Sequence, residues 1–309
     1  MINLSPGPAP LPKAVMTAFS KSISDSDLIH LSHRSERSQA FILSLKTRVR
    51  QALNLSDQYE VLFLSGSSRE STQRIFRDLE SCGKGIDHYV TGYWSNWAST
   101  QSQKTHTPAY VHVCLNETID GIFLENNHAL PVIADVTSCI FTTEFQSQAA
   151  IWYASGQKIF SMAGFSLCIV DKHHIDSSMS LCQYMVSNSS CVTPPIYGMI
   201  LLDHFLEWLE YQGGIKWLSV QTQKRSAAIY SILEKKEVSL VSPGKRSATS
   251  IVFHGKSPEQ NRIWIEQMLA NNVVGFKNHS AVGGMRIMNL PGLEQGAFDK
   301  LLCLLEALP

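Results

Sequence analysis

The feature that most constrains this chain is a set of short apolar runs, two of which lead straight into charge. Pro131-Val-Ile-Ala-Asp135 closes on a carboxylate. Ile151-Trp-Tyr-Ala154 turns through Ser155-Gly-Gln157 and closes on Lys158, and a third run over 165–170 follows. Continuous apolar runs of this length suit strands buried on both faces of a mostly parallel sheet. Similar runs lie at 59–64, 88–90 and 110–113. The polar loops after them hold nearly every unusual polar side chain, and that is the edge at which open α/β sheets bind ligands.

Lysine is costly to bury. At the end of an apolar strand, Lys158 is either a loop lysine or an amine whose lowered pKa suits it to bond a carbonyl. Asp135 reads either as a helix cap or as an acid facing a cationic ring. Together the two are what a pyridoxal phosphate (PLP) site needs, one to carry the aldehyde and one to face the pyridine nitrogen. A further local pattern points to an anion: the strand at 59–64 runs through Ser65-Gly-Ser-Ser-Arg69 into a helix, and free N–H groups at such a turn converge on one spot. The same turn also reads as a plain tight connection, and it lacks the Gly-Lys-Ser/Thr of a nucleotide loop.

Pro12 opens a helix to about residue 23, and another over 38–53 buries Phe41, Ile42, Leu45, Val49 and Leu53 on one stripe. Long helices at 197–211 and 215–235 are followed by alternating strand and helix to the C-terminus, and Ser257-Pro-Glu-Gln260 has a capping-box pattern. The chain thus divides into an arm over 1–15, a large α/β domain over 16–205 and a smaller α+β domain over 206–309. At 309 residues, 44% of them hydrophobic, it is long enough for two cores. With 26 basic and 26 acidic residues and no basic block, nucleic acid and membrane surfaces are not expected partners. No apolar run reaches the roughly 18 residues of a membrane span, and the N-terminus does not read as a signal peptide. Seven scattered cysteines read as reduced residues of a cytoplasmic protein. The adjacent His173 and His174 read as a solvated turn rather than metal ligands.

Eight short words, in this order, resemble the phosphoserine aminotransferase family of class V, which are fold-type I PLP enzymes. They are Ser5-Pro-Gly-Pro-Ala9, Ser32-His-Arg34, Gly92-Tyr-Trp94, Asn116-Glu-Thr-Ile-Asp-Gly121, Ala134-Asp135, Gly156-Gln-Lys158, Thr193-Pro-Pro195 and Val282-Gly-Gly-Met-Arg286. The resemblance implies a large domain with a mostly parallel, seven-stranded-type sheet, a smaller C-terminal α+β domain, and a homodimer with shared active sites. It implies exchange of an amino group between glutamate and a phosphorylated 2-oxo acid, 3-phosphohydroxypyruvate, as in serine biosynthesis. Residue by residue, it makes Lys158 the Schiff-base lysine and proton carrier, and Asp135 the partner of the pyridine nitrogen. Trp94 becomes the ring-stacking indole and Thr118 the hydroxyl at the ring oxygen. Ser68 and Arg69, with Gln157, hold the cofactor phosphate, and Thr193 adds a hydroxyl from the partner subunit. Arg286 takes the substrate α-carboxylate, while His33, Arg34 and His279 read its distal group.

The sequence departs from the family at Gly66-Ser-Ser-Arg69, at Val192 before Thr193, at Ser280 where arginine is usual, and at Pro6; it is also shorter. These departures spare the catalytic pair and fall on substrate reading. Two alternatives therefore stand beside phosphoserine transamination: a changed amino donor, or a PLP-binding paralogue with impaired catalysis.

Overall fold

The computed structural model describes residues 1–25, 27–124, 128–145, 149–185 and 192–309. Its central sheet has six strands, in the spatial order Tyr59–Ser65, Phe165–Asp171, Ile151–Ser155, Val132–Asp135, Pro108–Cys114, Gly85–Tyr89. The last four pair in parallel, while Phe165–Asp171 runs antiparallel to both of its neighbours. The sheet is therefore mostly parallel as expected, with six strands among the described residues rather than the seven-stranded type. The antiparallel strand follows from its connection: only a short turn separates it from Ile151–Ser155, too little chain for a parallel crossover.

Alternation along the strands divides the interior into two layers. Val61, Phe63, Val113, Ala134, Trp152, Ala154, Leu167 and Ile169 face one helical layer. Leu62, Leu64, Tyr110, Ile133, Ile151, Tyr153, Cys168 and Val170 face the other. The first layer is closed by helix Glu36–Ala52 through Ile42, Leu45 and Val49, and by helix Ile196–Gln212 through Met199, Leu202, Phe205 and Leu209. The second is closed by helix Ser68–Ser81 through Ile75, Phe76 and Leu79. Each such side chain, fully buried, contributes about 1.5–3 kcal/mol. Helix Ile196–Gln212 stops where Gly213 turns left-handed, at φ 110°.

A separate core belongs to the C-terminal part. Strands Ser239–Leu240, Ser250–His254 and Met285–Met288 form an antiparallel sheet, packed by Trp264 and Met268 of helix Pro258–Ala270 and by Phe298, Leu301 and Leu305 of helix Gln295–Ala307. The expected division at 205/206 falls inside helix Ile196–Gln212, whose Leu206 and Leu209 lie in the first core. The chain passes between cores along helix Gly214–Lys235, with Leu218 in the first and Ile229 and Leu233 in the second. The N-terminal arm is not free either. Ile2–Asn3 pairs in parallel with Val273–Val274, and Ile2 and Leu4 are buried in the C-terminal core. Beyond it the arm crosses the turn that holds Lys158: Ala9 N–H donates to the Gln157 carbonyl at 2.9 Å, and a Cβ on Gly7 would come within 3.4 Å of Lys158 Cγ. Among the described residues, no helix is long and apolar enough to cross a membrane.

Candidate active site

Lys158 lies one turn beyond strand Ile151–Ser155 and is buried. Its Nζ lies 3.3 Å from Thr118 Oγ1. The same hydroxyl oxygen accepts a hydrogen bond from Trp94 Nε1–H at 3.1 Å, and the Thr118 carbonyl accepts one from Arg286 Nη1 at 3.0 Å. Thr118 thus draws the lysine, the indole and the arginine of the sequence reading to one point. Desolvation lowers the Lys158 pKa; the carboxylate of Asp135 opposes that, and the Arg286 charge adds to it. Arg286 is more deeply buried still, at 4% exposure, and enters no ion pair among the described residues. Its Nε has no hydrogen-bond partner, and burial pushes its pKa down to about 10. A charged, half-satisfied guanidinium beside a buried amine is costly by itself, and a carboxylate ligand supplies what it lacks.

Asp135 ends strand Val132–Asp135, opposite Tyr153 in the register. Its Oδ1 accepts the Thr137 N–H at 2.9 Å. Burial raises its pKa, while bonds from Thr137 and the Lys158 charge pull the other way. Tyr153 carries the contact outward. Its hydroxyl lies 2.8 Å from His112 Nε2 and 2.9 Å from Thr72 Oγ1, and Thr72 Oγ1 also donates to the Ser68 carbonyl at 2.8 Å. Strands Ile151–Ser155 and Pro108–Cys114 and the helix beginning at Ser68 are therefore tied through one buried phenol.

The small-residue turn does open onto a helix N-terminus. Gly66 has φ 117°, a conformation that favours glycine. Ser67 then caps helix Ser68–Ser81 in a true capping box: Glu70 N–H donates to Ser67 Oγ at 3.4 Å, and Ser67 N–H donates to Glu70 Oε2 at 2.6 Å. The Ser-x-x-Glu signal was present in the sequence. At Ser257–Gln260 the box is half formed: Ser257 Oγ accepts the Gln260 N–H, but the Gln260 side chain turns to Lys256 N–H instead. Arg69 extends from the first helical turn to lie between two indoles, its guanidinium carbon 5.2 Å from the Trp94 centroid and 5.0 Å from that of Trp97.

Lys158, Asp135, Thr118, Trp94, Arg286, Ser68, Arg69 and Gln157 thus belong to one neighbourhood. His279, exposed at the rim, joins it through Tyr93, whose ring lies 5.1 Å from the imidazole and 5.2 Å from Trp94. Thr193, His33 and Arg34 are not brought in by this chain. Thr193 is exposed, and its neighbours Val192 and Pro194 line a cleft with Ile42, Lys46, Phe63, Gln183 and Tyr184. His33 and Arg34 lie in the turn before helix Glu36–Ala52, with Arg34 exposed. Trp94 occupies the first turn of a short helix, Tyr93–Ser99. Of Asn116-Glu-Thr-Ile-Asp-Gly121, the family resemblance assigns a role to Thr118 alone. Glu117 and Asp120 proved equally engaged, because their carboxylates accept the backbone N–H groups of residues 93–95. An acid flanked by Asn and Thr in a short apolar context was the available signal.

The family model of class-V aminotransferases matches residues 1–146. The phosphoserine aminotransferase of Bacillus thuringiensis subsp. konkukian is 28% identical, the match covering 92% of this chain and 91% of that one. That of Buchnera aphidicola is 27% identical over 94% and 95%. Among solved structures, the PLP-bound phosphoserine aminotransferase of Trichomonas vaginalis superposes with a TM-score of 0.88 at 20% identity, covering 98% of this chain and 99% of that one. The aspartate aminotransferase of Thermus thermophilus superposes with a TM-score of 0.80 at 15% identity, covering 100% and 99%. The fold of the chain is that of these aminotransferases. With a family match over the N-terminal part, near full-length similarity to curated phosphoserine aminotransferases and a shared fold, the chain is similar throughout to the class-V aminotransferases.

Proposed function

We propose that the protein is a PLP-dependent phosphoserine aminotransferase, which converts 3-phosphohydroxypyruvate and L-glutamate into O-phospho-L-serine and 2-oxoglutarate, as in serine biosynthesis. The single observation that carries this reading is the buried pair of Lys158 and Arg286 sharing Thr118. The residues fit the cofactor on the chain's own terms. An amine with a lowered pKa is held where it can bond an aldehyde. An acid at a strand end gains a cationic partner when a pyridinium faces it. A helix N-terminus whose N–H groups at Ser68 and Arg69 meet no acceptor among the described residues suits a phosphate. Bound there, PLP would supply an electron sink for a substrate carbanion.

The remaining work falls to side chains. Lys158, with its proton affinity reduced by burial, is suited to take the substrate Cα proton and return it. Thr118 holds the amine and the indole in a fixed relation. Arg286 orients the substrate through its α-carboxylate in a bidentate pair. His279 at the rim, and His33 and Arg34 donated by a second subunit, read the distal phosphate or carboxylate. Thr193 of that second subunit completes the phosphate site. The protein acts as a cytoplasmic homodimer, and the exposure of Arg34 and Thr193 in the single chain agrees with their serving a neighbour.

A second reading keeps the reaction and changes the amino donor. It rests on Ser280, exposed next to His279, where the resembled family carries arginine. The deciding experiment compares kcat/KM for phosphoserine with that for other acidic and small amino acids, in the unaltered protein and in Ser280→Arg. A phosphoserine value below that of another donor and raised by Ser280→Arg favours the second reading. For the chemistry itself, borohydride treatment of the PLP-loaded protein should fix the cofactor on the peptide containing Lys158, and Lys158→Ala should abolish turnover. A protein that does not take up PLP, or that is labelled elsewhere, ends both readings.

A further inference from the structure

The strongest unassigned feature is a buried carboxylate. Glu117 is fully buried, yet no cation faces it among its hydrogen-bond partners. Its Oε2 accepts the Trp94 N–H at 2.8 Å; its Oε1 accepts the Ser95 N–H at 2.7 Å and the Ser95 hydroxyl at 2.6 Å. Next to it, Asp120 Oδ2 accepts the Tyr93 N–H at 2.8 Å. Three successive backbone N–H groups at the start of helix Tyr93–Ser99 are thus held by two acids from one short segment. A second observation shows how closely they are seated. A Cβ on Gly92 would lie 2.5 Å from Asp120 Oδ2 and 2.8 Å from Glu117 Cδ, so residue 92 leaves room only for glycine. Residue 118, between the two acids, is the threonine that holds Lys158 and the Trp94 indole by its hydroxyl and Arg286 by its carbonyl.

We infer that Glu117 is a positioning residue for the cofactor ring: by fixing the backbone of Trp94 while Thr118 fixes its indole, it sets the height and tilt of the stacking face relative to Lys158. The inference rests on the proposed PLP function. Its physical basis is the reach of the contacts. A bond at Nε1 alone pins the indole at one edge and lets the ring pivot there as the backbone shifts. A second anchor at the backbone N–H fixes the other end of the side chain before any ligand arrives, and preorganisation of this kind raises affinity by lowering the ordering cost of binding. Burial raises the Glu117 pKa, while the three donated bonds oppose the rise. A carboxylate also accepts at both oxygens, which an amide does not.

The test is a cycle of variants read by the PLP dissociation constant, by the visible circular dichroism of the bound cofactor, and by urea unfolding of the cofactor-free protein. In Glu117→Gln one terminal atom becomes a donor, so one fixed backbone N–H loses its acceptor. The PLP dissociation constant should rise about ten-fold, bounded above by the effect of Trp94→Ala, and the visible dichroism should change. In the Trp94→Ala background Glu117→Gln should add nothing further, because no indole remains to be placed. If Glu117→Gln does not fold, Gly92→Ala displaces the same carboxylates by a Cβ and is read in the same cycle. Unchanged PLP affinity and dichroism in these variants overturns the inference, and so does an equal loss of affinity with and without Trp94. Failure of the unaltered protein to bind PLP overturns the function, and the inference with it; normal binding there with indifferent variants overturns the inference alone.

Discussion

Replacing Arg286 with methionine should stabilise the cofactor-free protein while disabling it. The guanidinium is 4% exposed, donates one bond to the Thr118 carbonyl, has an unpartnered Nε and faces no carboxylate among the described residues. Burial alone draws its pKa well below the usual guanidinium range, to about 10. At about 1.36 kcal/mol per pH unit, that is a cost of about 3 kcal/mol held in the ligand-free fold. Methionine is of similar length, carries no charge and fills an irregular gap well. Against the relief stands the lost bond to Thr118, about 1 kcal/mol. The carbonyl is not orphaned, because Ser250 Oγ also donates to it at 2.8 Å. A net gain of about 2 kcal/mol is therefore expected in urea unfolding of the cofactor-free protein, as a higher midpoint with unchanged slope. Calorimetric titration of the PLP-loaded variant with 2-oxoglutarate should show affinity reduced about a hundred-fold, the worth of a bidentate charged pair. Destabilisation by more than about 1 kcal/mol, or undiminished affinity for the carboxylate, would refute the argument that this arginine is stored unsatisfied for a ligand.

Three other outcomes follow from the interior. His112 is held neutral by burial, its pKa lowered to about 3 from 6.5, so the unfolded chain binds the extra proton below pH 6.5. Its contribution is whole above that pH and is lost as pH falls toward 3, amounting to about 2 kcal/mol at pH 5. Because the raised carboxyls of Asp135 and Glu117 act in the opposite sense, the check is the difference in pH 8 and pH 5 urea midpoints between the unaltered protein and His112→Gln; equal differences would contradict it. Lys46 and Glu60 form an ion pair with side chains 6% and 14% exposed, so Lys46→Met, which strands the acid, should cost about 3 kcal/mol in the same assay, and a loss under 1 kcal/mol would show that water reaches Glu60. Gly66→Ala combines a left-handed backbone at φ 117° with a Cβ 2.8 Å from Glu70 Oε2, and should cost about 1–3 kcal/mol and weaken PLP binding; an unchanged thermal midpoint and dissociation constant would mean that the turn relaxes freely.

Much of this protein is written locally. Apolar runs long enough to cross a sheet, proline at a helix start, and a lysine and an aspartate placed where burial is costly each depend on near neighbours. The words around Lys158, Asp135 and Thr118 carried the family resemblance for the same reason. What the chain alone left open are contacts between residues far apart in it. Phe165–Asp171 has Tyr59–Ser65 on its far side rather than a strand near it in the chain, a choice made by pairing partners rather than by its own apolar composition. Ile2–Asn3 becomes a strand only because Val273–Val274 offers it an edge. Glu117 finds the backbone of Trp94 23 positions earlier, and Arg286 finds the Thr118 carbonyl 168 positions earlier. Periodicity and propensity report how a residue suits its own element. They do not report which buried charge meets which distant donor, and here that pairing decides where the indole, the amine and the guanidinium stand.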